Sequence, residues 1–276
     1  MSAILTIAQT EIRIGVRNRW VVLASIILLV FALLLVLLGS APSGATKADS
    51  LTVVVASLST LTVYLVPLIA LLLSFDAIAG EIDRGTLQLT LASPVSRGQV
   101  LLGKFLGHVT VLSIAVLFGY GIAGVITFIL GQNTSIAGLV DLGRLVATSI
   151  ALGATFVAIG YVASASVRQT GTAAALAVAI WLFAVVLYDL ALLGGLLVSA
   201  DGVFAKVLFP YLLIANPADA FRLFNMASID AAGVSTGLAA GGSTMPFLPQ
   251  FAIISPLIWM VIALALSTII LKRVQP

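Results

Sequence analysis

The stretch FDAIAGEIDRGTLQLTLASPVSRGQVLLGKFLG, residues 75–107, lies between two long apolar runs and decides how the chain is built. Glu81, Asp83 and Arg84 crowd the end of the apolar run before it, so that run stops there. Gly85 and Thr86 then open a short apolar segment, and Ser93-Pro94 must end any helix in it, because the residue before a proline is pushed out of the α region. Ser96 and Gln99 have the spacing of a capping box, which starts a new helix. The sequence therefore predicts a long helix, a short crosswise helix, a break and a capped long helix. A plain connection would be shorter and would not need this punctuation.

The runs on either side fit a bilayer. Of 276 residues, 61% are hydrophobic and 8% charged, with a mean hydropathy of +1.24, whereas soluble domains carry about 25% charged residues. A membrane-crossing helix needs about 20 mainly apolar residues. Six stretches qualify, at 20–39, 52–75, 100–130, 142–166, 172–199 and 251–271. Pro67 predicts a kink in the second, the third reads as one long tilted or protruding helix, and Asp141 and Arg144 can pair at the start of the fourth. The first run lacks the cleavage site and flanks of a signal peptide, although Ala41–Ala45 is rich in small residues. An even number of spans puts both termini on one side. That side collects Arg13, Arg17, Arg19, Arg84, Arg97, Lys104, Arg168, Lys272 and Arg273, against Lys47, Arg144, Lys206 and Arg222 opposite. The positive-inside rule makes both termini cytoplasmic.

The expected fold is thus an all-α integral membrane protein, a single domain over residues 1–276 with six transmembrane helices. An amphipathic interfacial helix occupies residues 1–19, where Ile4, Ile7, Ile12 and Val16 alternate with Gln9, Glu11, Arg13 and Arg17 at a helical period. A coupling region at 81–95 faces the cytoplasm. A long outer loop at 200–250 precedes the last span and is too long for a mere connection. Within it Asn216-Pro217-Ala218-Asp219 is a helix start, with asparagine at the cap, proline in the first turn and an acid at the positive end of the dipole. Phe221 and Phe224 share a face of that helix. An outward subdomain resting on the membrane or on a partner is expected, with Asn216, Pro217, Asp219, Phe221, Arg222 and Phe224 as the partner contacts.

Several chemistries find no support. The chain has no cysteine and one histidine, which excludes disulfides, thiolate metal sites and multi-histidine sites; no metal ligands and no catalytic residues are expected. Gly98–Phe105 approaches a phosphate-binding P-loop, but phenylalanine stands where magnesium needs Ser or Thr, and no strand precedes it. The net charge of +3 suits cytoplasmic loops better than nucleic acid, so no nucleic-acid partner is expected. His108 reads as a packing residue, Asp76 and Asp189 as acids within reach of the interface. Gly119, Gly121, Gly124, Gly153 and Gly160 read as points of close helix packing.

Ile78-Ala79-Gly80-Glu81, Arg84-Gly85-Thr86, Ser93-Pro94-Val95-Ser96-Arg97 and Gly103-Lys104, with six spans and an amphipathic start, resemble the permease subunits of ABC-2 type ABC transporters. The resemblance covers the whole chain. It implies a homodimer in the bacterial inner membrane whose coupling helix, from Glu81 to about Ala92, sits in a groove on a separate cytosolic ATPase. ATP and magnesium would be held by that ATPase, with no cofactor and no enzymatic activity in this chain. The expected ATPase contacts are Glu81, Asp83, Arg84, Gly85, Thr86 and Pro94. A lipid, peptide or drug exporter of the same architecture is an alternative, as is an anchor for a periplasmic protein, against which the stiff cytosolic element speaks.

Overall fold

The computed structural model describes residues 3–39, 50–92, 95–130, 135–198, 202–227 and 246–273, and these are built of helices and turns. The helices are α1 (Ala3–Arg17), α2 (Arg19–Gly39), α3 (Ser50–Ser74), α4 (Ala79–Asp83), α5 (Leu87–Ala92), α6 (Arg97–Leu130), α7 (Ile136–Ser166), α8 (Thr170–Trp181), α9 (Tyr188–Val198), α10 (Phe209–Ala215), α11 (Pro217–Met226) and α12 (Ile254–Arg273). A π-helical turn, Leu182–Leu187, joins α8 to α9; a second, Phe204–Leu208, leads into α10; a 3-10 turn, Pro249–Ile253, leads into α12.

Five helical stretches among the described residues are long and apolar enough to cross a membrane: Leu51–Asp83, Arg97–Leu130, Ile136–Ser166, Thr170–Val198 and Pro249–Arg273. They coincide with the second to sixth expected spans. Two bent pairs raise the number to as many as seven, α1 with α2 at 66° and Phe204–Ala215 with α11 at 105°. The expected third span is a single helix of 34 residues, and α3 stays helical on both sides of Pro67. Ser96 and Gln99 form the predicted capping box: the Ser96 N–H donates to Gln99 Oε1 at 2.9 Å and the Gln99 N–H to Ser96 Oγ at 3.2 Å. Asp141 and Arg144 pair at 3.0 Å. α7, however, begins five residues before Asp141, capped by Ser135.

In an apolar medium, helices associate through close backbone approach and a few buried hydrogen bonds. Gly160 faces Ser74 and Gly153 faces Leu112, each without room for a Cβ, so α7 packs closely against α3 and α6; Gly124 does the same against Leu142. Gly121 departs from expectation, for nothing lies within 4 Å of a Cβ placed there. Thr62 and Tyr120 hydroxyls bond at 2.7 Å between α3 and α6, and Thr155 donates to the Pro256 carbonyl at 2.8 Å between α7 and α12.

Two expectations change. The outer segment does not stand away from the body: α11 packs on α3, α7 and α12, Phe221 is fully buried, and Asn225 Nδ2 donates to Thr148 Oγ1 at 3.1 Å. The flexible run expected at 233–242 lies outside the described residues. In α1, the docked face is Ile4, Ile7, Ala8, Glu11, Ile12 and Gly15, while Val16 is exposed. Glu11, assigned by its polarity to the solvent side, faces inward.

Candidate functional site

The residues quoted at the outset fold into two short helices, α4 and α5, separated by a turn at Gly85. The coupling helix expected as one element from Glu81 to Ala92 is therefore two. Their separation follows from the local sequence. The Gly85 N–H donates to the Ile82 carbonyl at 3.0 Å and the Thr86 N–H to the Glu81 carbonyl at 2.9 Å. This is the hydrogen-bond pattern of a Schellman ending, which requires a left-handed residue after the cap; Gly85 has φ +70°, the only positive-φ glycine among the described residues.

α4 is fixed to the body on three sides. Ser164 Oγ, on α7, accepts the backbone N–H groups of Ile78 and Ala79 at 3.0 and 2.9 Å, satisfying donors that a helix start leaves open. Asp83 Oδ2 reaches the start of α8 and accepts from Thr170. Glu81 turns inward, where Oε1 lies 2.9 Å from Lys104 Nζ. Arg84 lies 3.9 Å from Asp76, an exposed pair of little energetic weight.

Lys104 is the hub beneath this element. Its ammonium, on a side chain 8% exposed, also contacts Glu11 Oε1 of α1 at 2.5 Å. Glu11 Oε2 lies 3.5 Å from His108 Nε2, and His108 Nδ1 bonds the Tyr161 hydroxyl at 2.8 Å. Burial alone would raise the Glu11 pKa, but His108 and the Lys104 ammonium outweigh it and hold the carboxyl at about 2. Among the described residues Glu81 Oε2 has no hydrogen-bond partner.

The expected ATPase contacts thus divide. Asp83, Arg84, Gly85 and Thr86 are exposed and contiguous; Glu81 is largely enclosed and serves the interior; Pro94 lies outside the described residues. The near P-loop, Gly98–Phe105, forms the first turns of α6, a continuous helix and not a loop that could wrap a phosphate.

The second set, on α11, is mostly interior. Asn216 Oδ1 accepts from the Ala218 N–H at 3.1 Å, as its cap position predicts. Its Nδ2 donates to Asp219 at 2.9 Å and to the Ala184 carbonyl, in the π-helical turn, at 2.7 Å. Arg222 bridges Asp189 of α9 at 2.9 Å and Asp219 at 3.3 Å. Pro217 is buried, and Asn216, Asp219 and Phe221 are at most 5% exposed, so their side chains do not offer a surface to a partner in this conformation. Phe224 is half-buried, its ring 5.9 Å from the Arg144 guanidinium. Asp189, read as an acid near the interface, is bound to Arg222. An apolar cavity of about 400 Å³ opens beside the bend between α10 and α11, lined by Phe156, Phe183, Tyr188, Asn216, Pro217 and Trp259 among others. Among the described residues no group of three or more His, Asp or Glu side chains is placed to hold a metal ion.

The described residues form a multi-pass helical membrane body with a short, backbone-braced element, α4–α5, at one end. The chain belongs to the ABC-2 transporter family: the model for "ABC-2 family transporter protein" matches residues 5–275. It is 39% identical over 274 residues to "Probable ABC transporter permease protein NosY" of Stutzerimonas stutzeri, covering 99% of both chains. Its identity to the protein of that name from Pseudomonas aeruginosa is 38% over 265 residues, covering 96% of this chain and 94% of the relative.

Proposed function

We propose that this chain is a NosY-like permease subunit: a homodimer in the bacterial inner membrane, termini in the cytoplasm, that transmits ATP hydrolysis by a NosF-like ATPase to a NosD-like periplasmic partner. The role proposed for this subunit is the assembly of the copper centres of nitrous oxide reductase. ATP and magnesium belong to the ATPase. The observation that supports this reading best is the α4–α5 element. Its backbone is capped from α7 by Ser164, its Asp83 is tied to α8, and it leaves Asp83, Arg84, Gly85 and Thr86 outward. Such an element can be pushed without collapsing.

Transmission of motion fits the side chains better than passage of copper. Copper(I) favours thiolate and thioether ligands, with imidazole also suitable. The chain has no cysteine, and both ring nitrogens of His108 face protein partners, Tyr161 and Glu11. The test is co-purification with a NosF-like ATPase, comparing the parent with Arg84→Ala/Thr86→Ala. Capture should fall in the double variant while membrane insertion is unchanged; equal capture would remove α4–α5 as the contact. A second reading, export of a lipid, peptide or drug, is favoured by the apolar cavity near Trp259, which is of ligand size. Stimulation of ATPase activity by an apolar compound, abolished by filling the cavity with Ala184→Phe, would support it.

A further inference from the structure

Lys104 sits where α1, α4 and α6 meet, and the surrounding packing is built to keep it there. α1 lies on α6 at backbone contact: a Cβ at Gly103 would fall 2.7 Å from Ile7 Cβ, and one at Gly107 would fall 2.5 Å from Glu11 Cβ. These glycines, one turn apart on α6, flank Lys104 and bring Glu11 within reach of its ammonium. On the other side the same ammonium holds Glu81, the first acid of the coupling element. Buried ion pairs contribute little net stability compared with apolar residues of similar volume, so packing alone does not call for a lysine here. A cation shared by two carboxylates from different elements does what an apolar residue would not: it fixes the position of one element relative to the other.

We infer that Lys104 is a positioning residue that joins the amino-terminal helix α1 to the coupling element, so that α1 is part of the unit an ATPase moves. This extends the reading of the chain as an ATPase-driven permease and depends on it for its functional half. The structural half stands alone: α1 and α4 are linked to each other through one ammonium, and α1 should loosen when that link is cut.

The test uses the full-length permease with Glu11→Leu, which cuts the α1 side while leaving Lys104 paired with Glu81 and no buried charge without a counterion. Lys104→Arg keeps a cation between both acids, and Lys104→Met removes it. Amide exchange across Ala3–Arg17 should rise about tenfold or more in Glu11→Leu, as the loss of a charge-assisted hydrogen bond implies, and stay near the parental rate in Lys104→Arg, where both acids remain. Because the chain has no cysteine, spin labels at Arg13→Cys and Gln88→Cys, both exposed positions, report the α1–α5 distance. In the complex with its ATPase the parental distance should stay fixed between nucleotide states and should vary with nucleotide in Glu11→Leu. Parental exchange and a fixed distance in Glu11→Leu would overturn the inference, even if Lys104→Met fails to fold. If the parent captures no ATPase, the permease reading fails instead, and exchange compared between Glu11→Leu and Lys104→Met, which keeps the Glu11–His108 contact, still decides whether Lys104 is the joint.

Discussion

Asp83 Oδ2 accepts hydrogen bonds from both the backbone N–H and the hydroxyl of Thr170, at 3.2 and 2.9 Å. Thr170 is the first residue of α8, and Gln169, at the cap position, contributes no side-chain acceptor. The cap of this span is therefore supplied by α4, with a carboxylate at the favourable end of the helix dipole. Asp83→Ala should raise amide exchange at Thr170–Ala173 with only a small drop in melting temperature, since the pair is exposed, and Asp83→Asn should retain most of the cap. Equal exchange in parent and Asp83→Ala would show that solvent caps α8 as well.

The turn between α4 and α5 rests on one backbone conformation. Gly85→Ala must place an alanine at φ +70°, at a cost of about 1 kcal/mol, although there is room for its Cβ. Gly98→Ala, inside α6 and equally roomy, is the control and should be neutral or slightly stabilising. The melting temperature of the purified protein and the extent of ATPase capture should both fall for Gly85→Ala alone.

Docking of α1 should depend on acid pH. The Glu11 carboxyl, held at about 2 against an ordinary value of 4.5, binds a proton more readily when released than when docked. Its contribution is therefore complete above about pH 4.5 and is lost as the pH falls towards 2. Amide exchange of α1, corrected for its intrinsic pH dependence, should accelerate through that window in the parent and stay flat in Glu11→Gln. A parent as flat as the variant would disprove the pairing.

The two aromatic side chains of α11 should separate. Phe221 is fully buried, and truncation to alanine leaves a cavity worth about 3 kcal/mol. Phe224 is half-buried over Arg144, and its truncation should cost below about 1 kcal/mol. Thermal unfolding checks the order. Loss of periplasmic-partner capture in Phe224→Ala at unchanged melting temperature would assign that edge of α11 to the partner.

Arg222 serves two carboxylates, so its removal should be worse than removal of either. Arg222→Met leaves Asp189 and the buried Asp219 without a cation, which costs about 3–5 kcal/mol; Asp189→Asn leaves Arg222 paired with Asp219 and should cost less. If the melting temperatures come out in the opposite order, the bridge is not what holds α11 to α9.

What could be read from the sequence was whatever is local in it. The Ser96–Gln99 box, the Asn216 cap and the Asp141–Arg144 pair each involve residues within a few positions, where side-chain reach and backbone geometry leave few alternatives; the turn at Gly85, inside what reads as one helix from Glu81 to Ala92, was not among them. The partners of Lys104, Ser164 and Thr170 are separated from them by 85 residues or more in most cases, and one sequence holds no signal that pairs them. Glu11 was within reach, because it falls on the 4-7-8-11-12-15 register of α1, but its charge argued for solvent. The π-helical turn had no signal: Leu182–Leu187 is uniformly apolar and reads the same in either helix. For α11 the polar residues suggested an exterior position, and only the structure shows them satisfying one another inside.

That wide turn sets the phase of the helix beyond it. Each residue of an α-helix advances by about 100°, so an α-helical path through Leu182–Leu187 would turn Tyr188–Val198 about its own axis and carry Asp189 away from Arg222. The outer half of this span behaves as a screw thread cut with an offset, with Asn216 on the Ala184 carbonyl holding the offset open and Arg222 acting as its stop.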